Sequence, residues 1–188
     1  MSFNPYPTNP NFLSPLGFRF QIKRMPNVTF FTQQASIPTV TLGTANVPTP
    51  FTNIPVPGDH LVYSDFTLTF KVDEDMNNYI EVYNWMVALG FPDSFDQYKG
   101  LPGTKFVANP NGIAQLQKST SLVTEGMYSD GILEILNSAK KSIAEVRFVD
   151  MYPTMLSDVT FNTRESDVNY IEATVSFAYR TFQINRVN

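Results

Sequence analysis

The chain of 188 residues contains no cysteine. That excludes disulfides, a thiol nucleophile and any cysteine-ligated metal. It has one histidine, His60, and one tryptophan, Trp85. Charged residues make up only 16% of the chain, and the net charge is -4. A surface that grips phosphates needs a basic stripe, and none is present. No apolar run approaches the roughly 20 residues of a membrane helix. The segment from Met1 to Leu16 has neither a basic n-region nor an apolar h-region, so no signal peptide is expected. On these grounds the protein is expected to be soluble, off the membrane and made in a cytoplasm.

Catalytic patterns are equally scarce. There is no G-x-S-x-G elbow and no glycine-rich phosphate loop. His60 lies in "PGDH", expected to be a turn, with Asp59 too near in sequence to act as a relay. Asp73, Glu74 and Asp75 could attract a hard cation, but the EF-hand spacing is missing and a helix start accounts for them. Lys140 and Lys141 are expected to be solvated in a turn. No catalytic, cofactor-binding or metal-binding residue is therefore assigned, no cofactor is expected, and the protein is expected not to be an enzyme.

What is abundant points to β structure. Hydrophobic residues are 43% of the chain, with 16 Phe and 9 Tyr, a folded and sheet-favouring composition. Of 14 prolines, ten precede Gly58. The first 16 residues are proline-rich and are expected to form an extended arm, disordered or ordered by a neighbouring subunit. Residues 17–188 are expected to form a single domain, with a long loop region at 93–131.

Within that domain, "GFRFQIKRM" alternates with period two, placing Phe18, Phe20 and Ile22 on one face. A Pro-Asn turn and "TFFTQQASI" then suggest a returning strand and a hairpin. The adjacent Phe30 and Phe31 break alternation, so one of them is expected to face outward or into a partner subunit. A strand is expected around Val40 to Val47, followed by a wandering loop. Ser64 to Val72 alternates, with Phe66, Leu68, Phe70 and Val72 inward.

From Asp73 to Pro92 the period changes to that of an amphipathic helix, with apolar residues at 76, 79, 80, 83, 86, 87 and 89. Asp73 or Asp75 can cap it, Gly90 and Pro92 stop it, and Trp85, Met86 and Leu89 are expected in the core. "GILEILNSAKKSIAEVRFVD" forms a second hairpin turning at "NSAKK". A strand then breaks at a Pro153-Thr154 corner, another at "DVTFNT" follows, and "RESD" turns into one long strand. In that strand Ile171, Ala173, Val175, Phe177 and Tyr179 share one face and Glu172, Thr174, Ser176 and Arg180 the other. The fold class expected is mainly β: an antiparallel barrel or sandwich flanked by one α-helix.

Taken together, six features in order give the chain a resemblance to the tail tube proteins of contractile-tailed bacteriophages. They are Ile37-Pro38, Pro57-Gly58-Asp59, the alternating strand from Ser64 to Val72, the acidic entry at Asp73 to Asp75, Trp85, and Pro153-Thr154 before a terminal alternating hairpin. The resemblance spans Gly17 to Gly90 and Arg147 to Ile184. It implies a virion structural protein whose six-subunit rings join their sheets around a lumen and stack into a tube. Implied partners are further copies of the chain, the tail sheath protein and baseplate or neck proteins. DNA passes through the lumen without specific binding, and assembly takes place in the host cytoplasm. An acidic chain suits a wall that repels DNA, with Glu172 a candidate lining residue and Arg180 counting against a uniformly negative wall. Alternatives are a specialised tube-type ring at the baseplate or neck, the tube of a phage-derived injection machine, or a carbohydrate-binding β-sandwich with an exposed aromatic platform.

Overall fold

The computed structural model describes residues 12–94, 97, 127–162, 164 and 170–187. The arm before residue 12, most of the expected 93–131 loop and most of the "RESD" turn lie outside them. In chain order the elements are β1 (Phe18–Ile22), α1 (Pro26–Phe31), β2 (Thr32–Ala35), β3 (Val40–Pro48), β4 (Asn53–Tyr63), β5 (Phe66–Lys71), α2 (Asn77–Gly90), β6 (Ser129–Leu136), β7 (Ser142–Leu156), β8 (Glu172–Ala178) and β9 (Thr181–Arg186). Every strand pairing is antiparallel.

A seven-stranded sheet runs β1-β6-β7-β8-β5-β2, with β9 also paired to β7. The strand β7 is the spine. Its first part pairs with β6 and β9, and its last part with β8. Between them the strand bends: Asp150 has φ 56 and the register shifts between Pro153 and Met155. The expected corner at Pro153-Thr154 is therefore a bulge inside a continuous strand, a common device for turning one sheet into two facing layers. Pro153 is buried there, and the Thr154 hydroxyl donates to the Ser176 carbonyl at 3.2 Å.

The two layers meet through aromatic rings. Phe66 of β5 lies 5.1 Å from Phe20 of β1, 4.6 Å from Phe148 of β7 and 6.3 Å from Phe177 of β8, centroid to centroid. Alternation in β5 and β8 supplies this core: Phe66, Leu68 and Phe70, then Ala173, Val175 and Phe177, are all buried. Burial of each large apolar side chain is worth about 1.5–3 kcal/mol.

The helix α2 closes the core, burying Asn78, Val82 and Trp85. Trp85 lies 6.2 Å from Phe177, and its indole N–H donates to the Met127 carbonyl at 3.1 Å. The buried face is centred on Asn78, Val82 and Trp85, so Ile80 and Tyr83, expected on the apolar side, are exposed. Its start is organised by Asp73 as expected, though from outside the cap position. The Asp73 carboxylate accepts from the Asn78 backbone N–H at 3.1 Å, and the Asn78 amide donates to the Lys71 carbonyl at 2.7 Å. These bonds satisfy a fully buried asparagine. At the other end Phe91, rather than Gly90, adopts the left-handed conformation, and its N–H bonds Val87 at 2.7 Å.

Five expectations are corrected. The strands β1 and β2 do not form a hairpin: β1 pairs with β6, and β2 pairs with β5. Pro26 starts a second, short helix between them, because its fixed φ suits a first helical turn and Val28 is buried beneath it. The wandering loop and the "PGDH" turn are instead β4, paired with β3 along its length. No strand forms at 158–162. The long terminal strand is two, β8 and β9, because the chain turns at Tyr179-Arg180 to cross onto β7.

Candidate assembly surface

The paired strands β3 and β4 form a two-stranded sheet separate from the rest. Nearly every residue in them is exposed, including Val40, Leu42, Val47, Ile54, Leu61 and Val62. Phe51 at the tip is 98% exposed. The register shifts between Leu42 and Thr44, where Gly43 and Gly58 cross. The root of the hairpin is held firmly. Ser64 and Thr39 exchange two hydrogen bonds, at 2.9 and 3.1 Å, and the Tyr179 hydroxyl donates to the Ser64 carbonyl at 2.8 Å. The Tyr63 ring sits 5.4 Å from Phe182 and 6.2 Å from Tyr179. Burial, with Asp65 and Tyr63 adding to it, pushes the Tyr179 phenol up to about 12.

The body offers two solvent-facing sheet surfaces of different character. On the β1-β6-β7-β9 layer, Arg19 lies opposite Glu134 and Glu134 opposite Glu145. Arg19 reaches Glu134 at 3.8 Å, and Arg147 reaches Glu145 at 2.9 Å. On the β8-β5-β2 layer the outward residues are Thr67, Thr69, Thr174 and Gln34, with Ser176 on the same face but buried, and the Thr69 and Thr174 hydroxyls are 3.2 Å apart. Within the seven-stranded sheet, the described strands β1, β2 and β9 each have one unpaired edge.

The residues weighed for chemistry are scattered. His60 is an exposed residue of β4 whose ring contacts neighbouring Asp59. Glu74 and Asp75 are exposed while Asp73 serves the helix start. Among the described residues, no three His, Asp or Glu side chains gather as metal ligands would. Lys140 and Lys141 lie exposed at the β6–β7 turn. Phe30 faces outward at 81% exposure while Phe31 is half-buried, in α1 rather than in a strand. Arg180 leaves the face of Glu172: it sits in the β8–β9 turn, 3.1 Å from Asp150. The first strand of the exposed hairpin, β3, lies where a strand is expected around Val40 to Val47, whereas its partner β4 occupies the expected loop. The signal of the hairpin was the paired apolar alternation on either side of Thr49 to Thr52, obscured by five prolines between Pro38 and Pro57.

The phage tail tube protein family model matches residues 6–185. The chain belongs to the phage tail tube protein family. Among solved structures, this tail tube protein is similar to the tube-terminating cap of the anti-feeding prophage. Identity is 13% over 100% of both chains, with a TM-score of 0.60. A chain of the sheath–tube complex of an extracellular contractile injection system gives 13% identity, covering 97% of this chain and 94% of that one, at TM-score 0.56. A chain of the anti-feeding prophage baseplate gives 10% identity over 89% and 90%, at 0.55. At such identities the likeness is one of fold: a mainly β, antiparallel tail tube fold. No curated protein matches the chain in sequence.

Proposed function

We propose that this tail tube protein is the ring-forming subunit of the inner tube of a contractile tail. Six copies close into a ring, rings stack head to tail, and the sheath surrounds them. Baseplate and neck proteins hold the two ends. DNA passes through the lumen without being bound, and the subunits assemble in the host cytoplasm into the virion. Residues 17–188 act as one body, residues 1–16 act as an arm to neighbouring subunits, and no residue performs catalysis or holds a cofactor.

The observation that carries this reading is the β3–β4 hairpin. A lone two-stranded hairpin is marginal in water. This one extends from the body with its apolar side chains exposed. A second copy of the chain, receiving the hairpin on a different surface, makes a head-to-tail contact, the kind that builds rings and filaments. The open edges of β1, β2 and β9 supply lateral pairing positions that a monomer would have to suppress.

Electron microscopy and native mass spectrometry of the purified chain test it. Six-subunit rings stacking into tubes are expected; a folded monomer persisting at high concentration overturns the reading. A second reading, a specialised ring at one end of the tube or the tube of a phage-derived injection machine, is favoured by the fold likeness to a tube-terminating cap. Copy number in the native particle separates a repeating subunit from an end ring: about one per sheath subunit for the former, far fewer for the latter. Genomic neighbours separate a phage from an injection machine.

A further inference from the structure

The two exposed sheet surfaces differ in a way that assigns their directions in a tube. The middle of the β8-β5-β2 surface carries no charge: Thr67 opposite the buried Ser176, Thr69 opposite Thr174, and Gln34 beside Thr69. Fixed charges appear only at its ends, where Lys71 lies opposite Glu172 and where Asp65 accepts from the Thr154 hydroxyl at 3.1 Å. The other surface carries the Arg19, Glu134, Glu145 and Arg147 ion pairs at its centre. The hairpin also belongs to the uncharged surface. The strand β2 runs into β3, and β4 runs into β5, so the hairpin prolongs two strands of this same layer towards the next copy.

We infer that the β8-β5-β2 surface lines the channel, with an uncharged hydroxyl band across its middle, and that the charged surface faces outward. The inference rests on the tube reading above. In a ring, any fixed charge on the inner wall is repeated by every copy, and a narrow low-dielectric channel focuses its field. Such a wall selects its passenger by charge. Short, β-branched threonines held by cross-strand contacts present bound water instead, and they neither retain nor repel a polyanion. The passage then depends on width rather than on charge, which differs from the repelling acidic wall implied by the composition of the whole chain.

The absence of cysteine makes the test direct, because a single introduced thiol is unique. Thr69→Cys, Thr67→Cys and Arg147→Cys chains are assembled into tubes and checked by electron microscopy. They are then treated with a small maleimide or with a maleimide on a polymer too large for the channel. The thiols at 69 and 67 should react with the small reagent and be shielded from the large one in tubes, while reacting with both in isolated subunits. The thiol at 147 should react with both throughout. Positively and negatively charged methanethiosulfonates should modify position 69 in tubes within about twofold of each other, after normalising to the isolated subunit. Access of the large reagent to positions 69 and 67 in tubes overturns the channel assignment and leaves the tube reading intact. A skew of about tenfold or more between the charged reagents overturns the uncharged band. Folded chains that form no tubes at all overturn the tube reading itself, and the inference with it.

Discussion

Gly58 crosses Gly43 so closely that a Cβ on Gly58 would stand 2.7 Å from the Gly43 carbonyl oxygen and 3.4 Å from its Cα. The contact lies at the bulge where the β3–β4 register shifts, so it sets the bend of the hairpin. Because the obstructing atoms are backbone, no side chain can move aside.

Gly58→Ala should therefore spoil the hairpin and spare the body. A local cost of about 1–3 kcal/mol is expected. Hydrogen exchange should accelerate in residues 40–63 and stay unchanged in β5 and β8, while ring stacking weakens. Uniformly faster exchange across the body would contradict a local role.

Tyr179 joins the root of the hairpin to the body through its bond to the Ser64 carbonyl. Its phenol is pushed up to about 12, above the ordinary value of about 10. A group whose folded pKa is raised contributes stability that is whole below the ordinary value. That contribution is lost as the pH rises from about 10 through about 12. Tyr179→Phe should cost about 0.5–1.5 kcal/mol at neutral pH and should flatten the alkaline loss. Denaturant unfolding of both proteins between pH 8 and pH 12 checks it; parallel curves would show that Tyr179 does not carry the alkaline limb.

Glu81 of α2 meets the first turn of α1, where the Asn27 amide donates to its carboxylate at 2.6 Å. Burial pushes the Glu81 carboxyl up, partly opposed by hydrogen bonds from Asn27 and Val28. The folded state then takes up this proton more readily than the unfolded one. The site's contribution improves as the pH falls from neutrality towards the ordinary carboxylate range, and it is level below that. Glu81→Gln keeps an acceptor for Asn27 and removes the charge. It should change stability at pH 7 by less than about 1 kcal/mol, since the group is partly in water, and abolish the acid-side gain. Glu81→Ala should be the more damaging change. Stability profiles of the three proteins from pH 3 to pH 7 decide, and an acid-side gain retained by the glutamine form would be the contrary result.

Val175 is fully buried, paired between Leu68 of β5 and Leu156 of β7. Val175→Glu places an unpaired charge there and should cost several kcal/mol, enough to unfold the domain. Circular dichroism of the purified variant measures it. A soluble, assembled variant would mean that the inward face of β8 has been misassigned.

Much of this architecture is written in short stretches. The alternation of Phe66, Leu68 and Phe70, and of Ala173, Val175 and Phe177, needs no distant information. A period-two pattern has one apolar face, and that face is buried. The change of period after Asp73, with an acidic entry and a Gly-Phe-Pro exit, determined α2. The Asn137–Lys141 turn determined the β6–β7 hairpin, since the Asn137 side chain bonds the Ala139 and Lys141 backbone within five residues. Partner choice was decided elsewhere. The strand β1 looked ready to pair with the next extended segment, yet β6, more than a hundred residues on, occupies its edge. Pro153-Thr154 signals an interruption locally, but flanking strands on both sides hold it within one bent strand. The stretch from Pro48 to His60 has the punctuation of a loop, and only the pairing of β4 with β3 makes it the second strand of a hairpin. Local sequence sets which face of an element is apolar; which edge it meets depends on a register spread across the whole chain, and no short window contains that.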